Sequence, residues 1–337
     1  MLLTMPLKIA INGFGRIGRQ FFRIACNDPN LDIVAINDLG DSDNLAYLLR
    51  YDSVYGRFEE TVSVKDEFLV SGRQRARLLS QKDPALLPWE DLDIDVAVEC
   101  TGFFTDRAGA QKHLTAGAKK VLISAPAKEP DLTVILGVNH EQYDSKNHHI
   151  ISNASCTTNC AAPVIKILKD AFGVDFVWLS TAHAYTATQS LVDAPADRKD
   201  MRRGRSGAVN IVPSATGAAK AVVEVIPELK GKLDGIALRV PVACGSLVDL
   251  VVQVAHDVTV EEVNSAFGQA GAGSLKGILQ LSNEPLVSTD VIKTSYSAIV
   301  DGQFTKVLGG KLVKVLAWYD NEWGYSCRLV DVCKMLI

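Results

Sequence analysis

The segment Ile11-Asn12-Gly13-Phe14-Gly15-Arg16-Ile17-Gly18 constrains the fold more than any other stretch of this chain. Its glycines are spaced G-x-G-x-x-G. An apolar run, Lys8–Asn12, precedes them, and Ile17, Phe21, Ile24 and Ala25 fall on one helical face after them. A glycine-rich turn between a strand and a helix is the context in which this spacing binds a dinucleotide. Gly13 allows the tight turn, Gly15 lets backbone approach a pyrophosphate, and Gly18 lets helix and strand pack closely. The helix N-terminus offers unpaired N–H groups and partial positive charge to the phosphates. Asp38 ends a second apolar run, Asp32–Asn37, and lies 25 residues beyond Gly13. Its carboxylate suits ribose hydroxyls and repels a 2′-phosphate, so NAD is expected rather than NADP. A turn-capping Asp38 is the alternative.

Short strands and helical patterns alternate through the first half. Ser42–Arg50 reads as a helix with Leu45, Leu48 and Leu49 as its buried stripe, and Asp106–Ala116 as another. Thr61–Ser71 reads as a hairpin across Lys65-Asp66-Glu67. Ile94–Cys100, Val121–Ser124, Thr133–Gly137 and Ile150–Ser152 read as strands. Such alternation predicts an α/β Rossmann domain with a mostly parallel, doubly wound sheet. After about residue 155 the strands lengthen: Val174–Ala184, Ile236–Val240, Ser246–His256 and Lys311–Tyr319. Helices there come in runs, one opened by the capping-box pattern Thr259-Val260-Glu261-Glu262. This half reads as an α+β domain with a mixed sheet. Trp323–Leu336 reads as an amphipathic helix. The 337 residues suit about two domains.

With 47% hydrophobic and 22% charged residues the chain can bury a full core. A net charge of −4 gives nucleic acid little to hold, and the basic run Arg198–Arg205 is local. No segment reads as a signal peptide or membrane span. Seven cysteines at scattered spacings, with no C-x-x-C pair, argue against zinc; no metal is expected. Free thiols and the lack of a targeting pattern point to the cytoplasm.

One cysteine stands apart. Ser152-Asn153-Ala154-Ser155-Cys156-Thr157-Thr158-Asn159-Cys160 lies between a strand and a helical stretch. Ser155 or a neighbour can cap that helix, placing Cys156 near its N-terminus, where the dipole favours a thiolate. A thiolate can add to an aldehyde, and the adduct can lose hydride. Cys26, Cys100, Cys244, Cys327 and Cys333 are expected as buried small hydrophobes. Cys160 is expected to be structural, with a resolving thiol as the alternative. Pro163 implies a kink or a late helix start.

Asn12–Arg19 (NGFGRIGR) and Ser152–Asn159 (SNASCTTN) together closely resemble the phosphorylating glyceraldehyde-3-phosphate dehydrogenase family. Thr181–Gln189, Pro213–Lys220, Leu238–Pro241 and Trp318–Tyr325 match it as well, so the resemblance runs from about Lys8 to the C-terminus. It implies a homotetramer of glycolysis or gluconeogenesis, and a chain divided into an NAD-binding domain (1–155 and 320–337) and a catalytic domain (156–319). A long S-shaped loop would span about 185–212.

The resemblance further implies that Cys156 is the nucleophile and His183 its base and acid partner. An imidazolium at His183 would lower the thiol pKa, and the Cys156 N–H would help hold an oxyanion. The thioester left after hydride loss would be attacked by inorganic phosphate. Thr186, Thr188 and Arg239 match the site for the phosphate of glyceraldehyde 3-phosphate; Ser155, Thr157, Thr216 and Gly217 match that for the attacking phosphate. Arg205, with Arg202 second, is the basic-run residue expected to reach a phosphate. Arg16 and Ile17 would lie along the pyrophosphate. Thr101, Gly102 and Ser124 would border the nicotinamide half. Asn321 would hold the carboxamide, with Tyr325 nearby.

Leu39 and Ala194-Pro195 stand where NADP-using relatives carry small polar residues, which keeps NAD as the expected cofactor. Val242-Ala243-Cys244-Gly245 replaces the family's frequent Thr-x-Asn-Val. The rival expectations are a dehydrogenase of erythrose 4-phosphate, against which Thr186 and Thr188 argue, and a non-catalytic NAD- or nucleic-acid-binding protein on the same fold.

Overall fold

The structure, a computed structural model, describes residues 6–336. Most of the N-terminal stretch Met1–Pro6, in which no signal is read, lies outside them. The chain divides into two compact units. One comprises residues 6–134, 141–154 and 326–336; the other comprises 135–140 and 155–325.

The first unit holds a nine-stranded sheet. From one edge its strands are Leu132–Thr133, Ile150–Ser152, Lys120–Ile123, Val96–Glu99, Leu7–Asn12, Leu31–Asn37, Gln74–Leu79, Phe68–Ser71 and Val62–Lys65. The first seven run parallel, and the last two join antiparallel. Leu7–Asn12 is the central strand; Ile9, Ala10 and Ile11 are fully buried, as a strand covered on both faces requires. From it the chain goes to Leu31–Asn37 on one side and later to Val96–Glu99 on the other. The glycine-rich turn therefore leaves the carboxyl end of the strand at which the winding reverses, where doubly wound sheets bind ligands. Asp66 and Glu67 take φ of 48° and 63° and form the two-residue hairpin turn.

The second unit is built on a mixed sheet in the order Val212–Ala215, Leu233–Val240, Val174–Ala184, Ser246–Val254, Leu312–Tyr319, Ala298–Asp301 and Leu279–Ser282, with Lys306–Leu308 beside Leu312–Tyr319. Val174–Ala184 pairs parallel with Leu233–Val240, which sets His183 opposite Arg239. Helix Cys156–Phe172 packs on this sheet and against helices Ala218–Val225 and Val260–Ala272. The Thr259–Glu262 capping box forms in full.

Several local expectations change. In Ser42–Arg50 the buried residues are Leu45, Ala46 and Leu49, while Leu48 is 36% exposed, so Ala46 takes the place of Leu48 in the stripe. The strand expected over Thr133–Gly137 ends at Thr133. Asn139 accepts the Ile135 N–H, and Gly137 takes φ 80°, so the chain turns there. Cys156–Phe172 starts at Cys156 and runs through Pro163, so the helix does not start late. The last helix, Trp323–Met335, is buried nearly all round rather than amphipathic. Among the described residues no helix is long and apolar enough to cross a membrane.

Candidate active site

In the first unit the three glycines separate by what surrounds them. Gly13 has φ 93°, and a Cβ there would stand 2.7 Å from the Thr101 nitrogen. A Cβ at Gly18 would stand 2.2 Å from the Gly13 carbonyl oxygen, so helix Arg16–Ala25 can pack only as glycine. A Cβ at Gly15 would meet no protein atom within 4 Å. Packing of the chain does not explain that glycine; close approach of a ligand does. Gly15 is also the N-cap and supplies no side-chain cap, so no side chain of its own stands between the start of the helix and an anion. These residues fit a dinucleotide.

Asp38 holds this turn as well as flanking it: one carboxylate oxygen accepts the Phe14 N–H at 2.7 Å, the other the Gly40 N–H at 2.8 Å. Asp38 thus caps the turn, the alternative expectation for it. Arg16 pairs with Asp52 and lies over the Tyr55 ring. Beneath the turn a buried polar chain crosses three strand ends. Gln81 N–H donates to Asn37 Oδ1, Asn37 Nδ2 to Asn12 Oδ1, and Asn12 Nδ2 to Glu99. His113 and the Thr101 N–H and hydroxyl also meet Glu99, and Trp89 donates to His113 Nδ1. This network fixes Thr101 and the start of the Thr101–Gly102 loop. Ser124 donates its N–H to the Glu99 carbonyl. Leu39, beside Asp38, is exposed.

In the second unit Ser155 is the N-cap of Cys156–Phe172 and accepts the Thr158 N–H at 3.1 Å. The residue before it, Ala154, takes φ 50°, a left-handed conformation uncommon for alanine that turns the chain into the helix. Cys156 is therefore the first helical residue. Its Sγ lies 3.4 Å from His183 Nε2. His183 Nδ1 lies 2.6 Å from the Ala184 carbonyl oxygen and 2.7 Å from Arg239 Nη1.

The protonation expected from sequence is corrected here. Burial, helped by the Arg239 charge and more weakly by Arg203, lowers the His183 pKa from 6.5 to about 4, so the imidazole is neutral at pH 7. Burial likewise raises the Cys156 thiol; Arg239 and Thr157 oppose this without reversing it. Both shifts run toward a thiol beside a neutral imidazole and against the thiolate and imidazolium expected from sequence. Sequence position gives Cys156 its helix terminus but not the depth at which the terminus sits.

The remaining expected residues fall into clusters. Thr157 and Thr181 hydroxyls meet the buried Tyr319 hydroxyl at 2.9 and 3.0 Å, and the Tyr319 ring stands edge-on to His183. Thr186 and Thr188 hydroxyls are 2.9 Å apart, and Arg203 reaches Thr188 at 3.3 Å. Arg205 instead pairs with Asp193 and is 63% exposed. Arg202 is also exposed. Thr216 accepts the Ala218 N–H, and a Cβ on Gly217 would meet nothing within 4 Å, so both stand open at the N-terminus of Ala218–Val225.

Asn321 is 5% exposed; its Oδ1 accepts from the Gly245 N–H and the Ser246 hydroxyl. Tyr325 is buried. Cys160 is buried with its thiol toward the Ala317 carbonyl, as a structural residue would be. Cys26, Cys244, Cys327 and Cys333 are buried, and Cys100, like Cys156, is partly so.

Sequence reasoning passed over Arg203, Tyr319, Thr181 and Ser246. Arg203 was one of four arginines in a run, and only the loop conformation separates it from Arg205. Tyr319 carried a signal, since it closes an alternating strand at a buried position.

A dinucleotide turn and a cysteine–histidine pair in one chain define a nicotinamide-dependent dehydrogenase that works through a covalent bond to sulfur. The comparisons agree. Residues 7–107 match the family model described as glyceraldehyde 3-phosphate dehydrogenase, NAD binding domain, and residues 155–321 match its C-terminal domain. The chain is 54% identical to glyceraldehyde-3-phosphate dehydrogenase 1 of Bacillus cereus, covering 96% of this chain and 97% of that protein. It is 52% identical to glyceraldehyde-3-phosphate dehydrogenase of Geobacillus stearothermophilus, with 97% of each covered. With the corresponding protein of Streptomyces coelicolor the identity is 51%, over 97% of this chain and 98% of that one. The chain belongs to the glyceraldehyde 3-phosphate dehydrogenase family.

Proposed function

We propose that this protein oxidises glyceraldehyde 3-phosphate and phosphorylates the product, using NAD. Cys156 and His183 carry the chemistry, and the observation that supports this most is Sγ standing 3.4 Å from Nε2 at a helix N-terminus. His183 Nδ1 faces both the Ala184 carbonyl, which can only accept, and Arg239 Nη1, which can only donate; the tautomer that serves as base is the one with its proton on Nδ1, which turns the Nε2 lone pair toward Sγ. A neutral imidazole there takes the thiol proton as sulfur adds to the aldehyde carbon. The Cys156 N–H, at the helix start, helps hold the developing oxyanion. Bound NAD supplies the hydride acceptor. The acyl group then sits on Sγ as a thioester until inorganic phosphate displaces it.

Arg239, Thr186 and Thr188 bind the substrate phosphate, and Ser155, Thr157, Thr216 and Gly217 the attacking one. Arg203 joins the first set through Thr188 in place of Arg205. Gly13, Gly15, Arg16, Ile17, Gly18 and Asp38 hold the adenine-side half of NAD; Thr101, Gly102, Ser124, Asn321 and Tyr325 border the nicotinamide. The unit carrying the glycine-rich turn is the cofactor domain, and the unit carrying Cys156 the catalytic domain.

A homotetramer in the cytoplasm completes the reading. Phe176, Trp178 and Leu312 on the mixed sheet, and Leu191, Val192, Met201, Val209 and Ile211 around the S-shaped loop, are exposed apolar residues that assembly would cover.

The test is NADH formation from glyceraldehyde 3-phosphate with and without inorganic phosphate, run beside NADP and beside erythrose 4-phosphate. Phosphate-dependent reduction of NAD with the three-carbon substrate is expected. Equal turnover of erythrose 4-phosphate without phosphate would overturn the assignment.

A further inference from the structure

Strand register sets His183 opposite Arg239, so the two side chains stand side by side on one face of the mixed sheet. His183 Nδ1 lies 2.6 Å from the Ala184 carbonyl oxygen and 2.7 Å from Arg239 Nη1. A single ring nitrogen cannot satisfy an acceptor and a donor at once. With the proton on Nδ1, that N–H donates to Ala184 and stands against an Arg239 N–H. With the proton on Nε2, the Nδ1 lone pair accepts from Arg239 and stands against the Ala184 oxygen. Nε2 then turns an N–H, not a lone pair, toward Cys156 Sγ at 3.4 Å. Only the first tautomer can take the thiol proton.

The two neighbours of Nδ1 are not equally free to move. Ala184 ends a strand, and its N–H is held by the Ser246 hydroxyl at 3.1 Å. Arg239, partly buried, is held by little else. Its Nη1 makes a second, longer contact with the Ala184 oxygen at 3.4 Å, its Nε is buried without a partner, and no carboxylate among the described residues pairs with its guanidinium. A cation so placed takes up whatever strong acceptor reaches it. While none does, the charge-assisted bond from Arg239 to Nδ1 outweighs the neutral one to Ala184 and puts the proton on Nε2. An anion that draws the guanidinium away leaves Ala184 as the partner of Nδ1 and puts the proton there.

We infer that Arg239 holds His183 in the tautomer that cannot act as base until a phosphate monoester draws Arg239 away, so that the substrate's own phosphate switches on the base that activates Cys156. The inference rests on the proposed place of Arg239 in the substrate-phosphate site. It adds that the phosphate is read by the chemical step and not by affinity alone. An aldehyde without a phosphate meets an imidazole that carries its proton on the wrong nitrogen. Phosphorylated aldehydes are thereby selected in kcat as well as in KM.

The experiment is the first-turnover burst of NADH without inorganic phosphate, with unphosphorylated glyceraldehyde as substrate and phosphite added as the separate anion. Phosphite should speed the wild-type burst about tenfold or more, the worth of one charge-assisted hydrogen bond. Arg239→Ala removes the clamp. Its burst with glyceraldehyde should be severalfold faster than that of the wild type without phosphite, and phosphite should change it by less than about twofold. An arginine that only binds phosphate gives no such gain when removed. A glyceraldehyde burst no faster in Arg239→Ala than in the wild type, or a wild-type burst indifferent to phosphite, would overturn the switch. A wild type that gives no burst even with glyceraldehyde 3-phosphate would instead sink the proposed reaction itself. If Arg239→Ala fails to fold, nitrogen NMR of the wild type labelled at histidine reads the tautomer directly, with His183→Asn identifying the signal. The protonated nitrogen of His183 should change from Nε2 to Nδ1 as phosphite is added, and an unchanged tautomer would overturn the switch equally.

Discussion

At Gly13–Gly18 a strand turns into a helix that opens on glycine with no side-chain cap; at Asn153–Cys156 another does so on Ser155, whose hydroxyl takes the Thr158 N–H. Both turns bring chemistry to a helix N-terminus, but by opposite means. The first removes side chains so that backbone N–H groups can meet a ligand, and supports the turn from below with the partnered network from Gln81 to Trp89. The second caps the helix and puts a reactive side chain at its first position, in surroundings buried enough to raise that thiol and lower its imidazole partner. The cofactor turn is thus a binding surface made of backbone, and the cysteine turn a reactive site made of side chains. Substitutions should separate affinity from turnover accordingly.

Cys156→Ser should break the second turn alone. Turnover is expected to fall by at least about 10⁴-fold, since a hydroxyl is a far poorer nucleophile. NAD affinity, measured by calorimetry, should stay within about twofold. A matching loss of NAD affinity would show that the two turns are not functionally separate.

His183→Asn should lower kcat by roughly 10²–10⁴-fold, the usual worth of a general base. It also carries a pH signature. Folded His183 titrates near 4 and unfolded histidine near 6.5, so acidification protonates the unfolded chain first. The stability tied to the neutral imidazole is full above pH 6.5 and is lost as pH falls toward 4, by about 3 kcal/mol. Melting curves across that window should therefore fall less steeply for His183→Asn than for the wild type.

Arg203 and Arg205 sharpen the comparison within the S-shaped loop. Arg203→Ala should raise the KM for glyceraldehyde 3-phosphate about tenfold or more, through the lost charge-assisted contact. Arg205→Ala removes only an exposed pair with Asp193 and should change steady-state constants by less than about twofold.

The glycines should show effects well below those at Cys156 and His183. Gly15→Ala should keep the melting temperature and weaken NAD by about tenfold, because only a ligand meets the new methyl. Gly13→Ala should instead cost about 1–3 kcal/mol of stability, since its φ is 93° and Thr101 lies against it. Denaturant titration distinguishes the two.

This asymmetry also explains what could be read from sequence. The glycine-rich turn is a local object. Spacing, the preceding strand and the following helix specify it, and Gly13, Gly15 and Gly18 each occupy the geometry their positions imply. Most first-unit strands were legible for the same reason, but Asn139 and Gly137 end one early and Gln74–Leu79 was not read as a strand. The cysteine site is non-local. Cys156, His183, Arg239 and Tyr319 come from four elements that meet only through sheet register, and the resemblance to a family, not spacing, brought the first three together. Even then protonation was misjudged, because burial is a property of the assembled unit. Arg203 and Ser246 stayed hidden because their roles depend on a loop conformation and a hydroxyl's two partners.

The most direct test of the covalent account is a single turnover without inorganic phosphate. Enzyme is mixed with NAD and glyceraldehyde 3-phosphate, NADH is followed by absorbance, and the acid-quenched protein is digested for mass spectrometry. One NADH per active site should form in a burst and then stop, with the acyl group on the peptide bearing Cys156, and added phosphate should restart turnover. Continuous NADH production without phosphate, or a burst that leaves Cys156 unmodified, would contradict it.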